Sequence, residues 1–111
     1  MIIPQKLVAG VSVSTAVASY YVAPTNTKAI IQNMTLTNTS TVAVTTTVYV
    51  VATGATESAG NMIINGRVLA VGETYTCPEA IGKVILATGT IRAVAQTVST
   101  ISLMCDGVEV T

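Results

Sequence analysis

Histidine is absent from the 111 residues of this chain, which removes the commonest general base near neutral pH and the commonest side-chain ligand of transition metals together. Cysteine occurs only at Cys77 and Cys105, too few to close a tetrahedral zinc site, and neither has a histidine to activate it as a nucleophile. The two lie far apart in the chain, so their pairing stays open; we read them as free, buried thiols. Tryptophan and phenylalanine are missing, which leaves Tyr20, Tyr21, Tyr49 and Tyr75 as the aromatic rings. Charge is scarce: five basic and five acidic residues make up 9% of the chain and cancel to a formal net charge of zero, where an ordinary globular domain is about a quarter charged. With no basic stripe and no stacking platform, nucleic acid is not an expected partner, and so weak a field steers no partner from a distance.

Long apolar runs are also lacking, and no window approaches the roughly 18 consecutive apolar residues of a membrane span. Lys6 followed by LVAGVSVSTAVA has the outline of a signal peptide, with Ala16-Val17-Ala18 as a cleavage site. Pro4, the Ser, Thr and Gly within the apolar stretch, and the retained Met1 argue against it; a periplasmic adhesin or pilin-like subunit would begin after Ala18. No glycine-rich phosphate loop and no Gly-x-Ser-x-Gly elbow occurs. Glu73 with Glu79, and Asp106 with Glu109, are acid pairs that folding can bring together for acid–base work. Acids at turns and strand ends more often keep loops wet. We therefore expect no enzyme, no metal and no cofactor, and a hydrolase built on Glu73 or Asp106 is the least favoured reading.

What the chain has in quantity is β-branched residues in period-two alternation, recurring from end to end, while helical periodicity is nearly absent. Strands are expected over 5–13, 18–22, 28–37, 42–52, 62–71, 74–77, 90–96 and 98–110. In the third, Ile30, Met34 and Leu36 share one face, with Ile31, Asn33, Thr35 and Thr37 opposite. Asn65-Gly66 carries the signal of a hairpin turn and equally of a bulge. Pro78 at a first helical position and Glu79 in a first turn predict one short helix between Pro78 and Ile85. The length allows one domain, 1–111. The expected architecture is all-β: a single antiparallel β-sandwich or jelly-roll-like domain of about eight strands, with a short N-terminal arm over 1–5.

VTTTVYVV, from Val44 to Val51, is an uncharged window of the kind that aggregates. In strand register Val44, Val48 and Val50 enter the core, while Thr45, Thr47 and Tyr49 form a hydroxylated outer face that tolerates water and costs less to desolvate than a row of Lys and Glu. These three are candidate subunit-contact residues. Tyr20 and Tyr21 are two more, since neighbours on a strand point oppositely and one ring is left to anchor an interface. Ile2 and Ile3, ahead of Pro4 in the arm, complete the set, because exposed isoleucines tend to dock on a neighbour. The sequons Asn33-Met34-Thr35 and Asn38-Thr39-Ser40 are read as products of a threonine-rich composition.

In order, TKAIIQNMTLTNTSTVAVTTTVYVV, LAVGETYTCPEAIGKVILATGTIRAVA and ISLMCDGVEVT resemble a group of small tailed-bacteriophage virion proteins. The similar features are a strand ending in TNTS, a polar loop, a GETY…PE segment, an L-x-x-G-x-x-I return and a terminal G-x-E-V-T strand, together spanning about Thr27 to Thr111. The resemblance implies a sandwich used as a capsid cement or decoration subunit on the outer capsid surface of the virion, assembled in the host cytoplasm. Its partners would be the major capsid protein and itself, a homo-oligomer with a trimer favoured. It supplies no catalytic residues. The alternative within the same group is a tail, baseplate or fibre module contacting host surface glycan.

Overall fold

Period-two alternation becomes nine strands in a computed structural model that describes residues 2–97 and 100–111. They are β1 (Ile2–Ser12), β2 (Ala18–Val22), β3 (Lys28–Asn38), β4 (Val44–Val51), β5 (Met62–Leu69), β6 (Thr74–Tyr75), β7 (Val84–Ile85), β8 (Thr90–Ala95) and β9 (Ile101–Val110). Met1 of the expected arm, and Val98 and Ser99 at the expected start of the last strand, lie outside the described residues. Among the described residues there is one 3-10 turn, Ala59–Asn61, and no helix long and apolar enough to cross a membrane.

The strands form two antiparallel sheets. One has the order β1-β9-β3-β6, with β7 also paired to β3; the other has the order β2-β8-β4-β5. The pairs β1 with β9, β2 with β8, β3 with β6 and β7, and β4 with β5 nest like successive rungs of one long antiparallel ribbon with its tip between β4 and β5. Two further pairings, β9 with β3 and β8 with β4, roll that ribbon into the sheets. Buried residues from both sheets form one core, including Ile31, Met34 and Leu36 from β3, Val44 and Val48 from β4, Ile91 from β8 and Leu103 and Cys105 from β9.

Bulges decide which residues reach that core. Gln32 is an extra residue of β3, lying between the pairs Ile31 with Gly107 and Asn33 with Asp106. One inserted residue reverses the facing of everything beyond it. So Ala29 and Ile31 point inward on one side of the bulge, Met34 and Leu36 on the other, and Ile30 faces out, opposite to the strict alternation expected. Leu7 does the same in β1, where it and Val8 are both buried. The Gln32 bulge adjoins Gly107 of β9, and the side chain of Leu7 from the other bulge reaches the same residue. A Cβ there would lie 2.2 Å from the carbonyl oxygen of Ile30 and 3.0 Å from Leu7 Cδ1, so glycine is what lets the three strands close. Asn65-Gly66 is likewise a bulge and not a hairpin: Gly66 has φ +59 and its N–H donates to Thr47 Oγ1 at 3.0 Å.

Two further expectations are corrected. The segment from Pro78 to Ile85 is no helix but a pair of turns, Ala80 N–H to Cys77 O at 2.9 Å and Lys83 N–H to Ala80 O at 3.1 Å. Its end is captured by the edge of β3, since Gly82 N–H donates to Ile31 O and Ile31 N–H to Lys83 O, and Gly82 takes φ +85. The strand count rises from about eight to nine because β7 forms where the helix was expected to end and pairs with β3, while β6, within the expected 74–77 strand, pairs at the other end of β3. Nor do residues 2–5 form an arm. Ile2 pairs with Val110 and the ladder runs on through Pro4 and Val108, so backbone hydrogen bonding holds what the proline suggested would be loose. Proline is tolerated there because β1 is an edge strand.

Candidate subunit-contact surfaces

Thr45, Thr47 and Tyr49 stand together on the outer face of the β2-β8-β4-β5 sheet, as their alternation predicts. Thr47 is paired with Val94, and Tyr49 with Arg92 on one side and Met62 on the other. Thr45, Thr47, Val94, Gln96 and Thr15 line a shallow depression. Gln96 is fastened into it, its N–H donating to Thr45 O at 2.9 Å and its side-chain oxygen accepting from Thr45 N–H at 3.3 Å. The depression presents hydroxyls, an amide and methyl groups, and none of the residues lining it is charged. Thr46, on the opposite face, is buried, and its hydroxyl donates to Val94 O at 3.0 Å. At the end of this face Arg92 is held by Glu57 from the 52–61 loop and donates to Thr90 Oγ1 at 3.0 Å. That pairing holds the Glu57 carboxyl below its usual range.

Tyr20 and Tyr21 do not divide between core and solvent. Tyr20 is the extra residue of a bulge between the pairs Ser19 with Arg92 and Tyr21 with Ile91, so both rings pack half-buried against the core. Their hydroxyls work inside the molecule. Tyr20 OH accepts from Ser14 N–H at 2.8 Å and donates to Ser14 Oγ at 3.2 Å. Tyr21 OH donates to Glu109 Oε2 at 2.5 Å, tying β2 of one sheet to β9 of the other. Burial, then the adjacent Glu109 carboxylate, pushes the Tyr21 phenol well above its ordinary value. On the opposite side the Arg67 guanidinium lies 4.1 Å from the Tyr75 ring centroid, again bridging the sheets, with Glu73 3.9 Å away.

Each acid weighed for catalysis is engaged in a contact of its own. Asp106 faces outward and meets Lys6 Nζ at 3.0 Å, whereas Glu109 faces inward to Tyr21. Glu73 accepts from Ala70 N–H at 2.7 Å in a turn, and Glu79 accepts from Tyr75 OH, which holds its carboxyl below the usual range. Both cysteines are free and fully buried, and burial pushes each thiol up to about 12. Among the described residues no group of three or more Cys, Asp or Glu is placed to hold a metal ion.

Ile2 and Ile3 separate. Ile2 is 67% exposed on the outer face of the β1-β9-β3 sheet, while Ile3, paired with Glu109, sits on the other face at the sheet's end. Ile2 has company that alternation alone did not find. Pro4, Val108, Ile30 and Val84 pair successively across β1, β9, β3 and β7 and all face outward. The signal was present in VEV at the end of β9, where Val108 and Val110 flank the inward Glu109. It was masked in β3 by the Gln32 bulge. No family model matches this chain, and no curated protein or solved structure matches it.

Proposed function

We propose that this chain is a non-enzymatic virion structural protein, a capsid cement or decoration subunit that binds the major capsid protein and itself on the outer shell. The observation that carries the reading is the nested strand order, which we take as a jelly-roll sandwich, an architecture that capsid domains and lectins share. The likeness of its strand and turn segments to small phage virion proteins supports the same role. So does the character of the outer faces: hydroxyls and short aliphatic groups with few charges make contact area that is stable in water before assembly and readily desolvated afterwards. The work would be mechanical, burying area across seams between shell subunits. The test is addition of the purified chain to shells of its virus that lack it. Symmetric, stoichiometric binding is expected, and loss of binding on Tyr49→Ala or Thr47→Lys would mark the β4 face as the contact. Absence of binding to any shell form overturns the proposal.

The depression between Thr45, Thr47 and Gln96 favours one second reading, a tail or fibre module whose uncharged hydroxyl and amide groups hold a neutral host glycan. A glycan array decides it: hits that Gln96→Ala removes support it, and an array without hits rejects it.

A further inference from the structure

Asn65 is the one asparagine of this chain that precedes a glycine. It lies on β5, which among the described residues pairs only with β4 and so forms an edge of its sheet. The ladder is interrupted between the pairs Thr46 with Arg67 and Val48 with Ile64, so Asn65 and Gly66 together oppose the outward Thr47. Asn65 is exposed, and among the described residues its side chain has no hydrogen-bond partner. Asn61, by contrast, is fastened at both ends of its amide, donating to Thr56 O at 2.8 Å and accepting from Ser58 N–H at 3.0 Å. Gly66 takes φ +59, and its N–H donates to Thr47 Oγ1 at 3.0 Å.

A glycine has no Cβ to keep a neighbouring group from its backbone nitrogen, and asparagine is a chemically labile residue. We infer that Asn65 is a deamidation site and that the Thr47 hydroxyl is the latch that sets its rate. In the reaction the Gly66 nitrogen attacks Asn65 Cγ. The new N–Cγ bond closes a cyclic succinimide, the Cγ–Nδ2 bond breaks, and ammonia leaves with the proton that the Gly66 nitrogen gives up. Water then opens the ring. Hydrolysis at Cγ gives aspartate, and hydrolysis at the main-chain carbonyl gives isoaspartate, in which the backbone runs through the side chain. Either route consumes water and releases ammonia. The proton that must leave is the one Thr47 Oγ1 accepts. The reactive conformer therefore forms when that hydrogen bond opens, and at a bulge on an edge strand this takes local opening, not unfolding of the chain. Both products place a carboxylate beside Thr47, on a face whose depression is lined by uncharged residues. A charge costs more to desolvate than a hydroxyl, so conversion weakens binding through this face. That consequence rests on the reading of the face as a shell contact, whereas the modification itself does not.

Incubation of the purified chain in mildly alkaline buffer, followed by peptide mapping with mass spectrometry and an isoaspartate assay, tests the inference. In the folded parent Asn65 is expected to convert ahead of Asn26, Asn33, Asn38 and Asn61. Thr47→Val is expected to raise its rate by roughly fivefold, equivalent to about 1 kcal/mol for the single hydrogen bond removed. Thr45→Val, on the same strand and face, is the control and keeps the parent rate. Variants are compared only where they keep the melting temperature of the parent. The parent also supplies a second measurement, since in urea, where the latch is gone, Asn65 is expected to convert faster than in the folded chain. A folded parent in which Asn65 is no faster than Asn26 or Asn33 overturns the inference. So does a Thr47→Val rate equal to that of the parent, or the same rate with and without urea. An Asn65→Asp chain that binds shells as tightly as the parent overturns the stated consequence, and a parent that converts but binds no shell defeats the virion reading alone.

Discussion

Asn38 is fully buried where β3 ends, and its side chain is saturated. The amide donates to Val42 O at 2.8 Å and Leu69 O at 2.9 Å, while Oδ1 accepts from the N–H and hydroxyl of Ser40 at 2.9 and 2.7 Å. Because Leu69 belongs to the other sheet, one side chain both shapes a turn and joins the sheets. Asn38→Ala takes the amide donor from Leu69 O and the acceptor from Ser40 N–H at a buried site, and is expected to lower stability by about 3 kcal/mol in urea unfolding, against about 0.5 kcal/mol for Asn33→Ala on the exposed face. Gly107→Ala is expected to cost about 3 kcal/mol or more, because its Cβ meets backbone and not a side chain that can swing away. Gly60→Ala, with only Ser58 Oγ at 3.6 Å, is the neutral comparison. The Asn38 sequon showed a turn residue, but nothing local in sequence reveals that its amide reaches Leu69. Gly107 was visible as a glycine in a strand; the approach of Ile30 was not, since it depends on a bulge in another strand.

The thiols and the Tyr21 phenol carry a pH dependence with a definite sign. Cys77 and Cys105 rise from 9.0 to about 12, and Tyr21 rises above its ordinary 10.0, chiefly by burial. As pH increases the unfolded chain releases these protons first, so their contribution is intact below about pH 9 and is lost progressively from there to pH 12 and beyond. The urea midpoint is expected to be lower at pH 11 than at pH 8, and an unchanged midpoint would contradict this. At pH 8 neither thiol should react with a disulfide reagent until the chain is unfolded, because a buried thiol this weakly acidic is thiolate only about one part in ten thousand.

Among the elements, β2 and β9 show how the sheets are held at their margins. Glu109 points inward and is only 8% exposed, and the Tyr21 hydroxyl is the donor that meets its carboxylate. Tyr21→Phe keeps the ring and leaves that carboxylate without the phenol, so a loss of about 1 to 3 kcal/mol is expected in thermal or urea unfolding. A loss below that of Tyr20→Phe, whose hydroxyl serves only the Ser14 turn, would count against the clasp. Period-two alternation located the main strands to within a few residues, since burying one face of a strand forces it. It misplaced Ile30, Ile31 and Tyr20, each beside a bulge. The helix expected after Pro78 failed for a related reason: a local propensity worth a few tenths of a kcal/mol competes with the unpaired edge of β3, which offers backbone hydrogen bonds.

For the whole molecule, the two outer faces differ in character. The β4 face with Thr45, Thr47 and Tyr49 was legible because the alternation runs unbroken from Val44 to Tyr49. The apolar rows containing Ile2 were legible only at that one residue, because a surface assembled from β1, β9, β3 and β7 has no signature within any single segment. In the proposed cement role, the Thr45-Thr47-Tyr49 face is the one that would meet the shell. Cryo-electron microscopy of the virus particle proposed to carry this chain tests that account most directly. The account predicts density for the chain on the outer head surface at every symmetry-equivalent position, with the Thr45-Thr47-Tyr49 face against the shell. A particle lacking the chain, or holding a few copies confined to the tail, would contradict it.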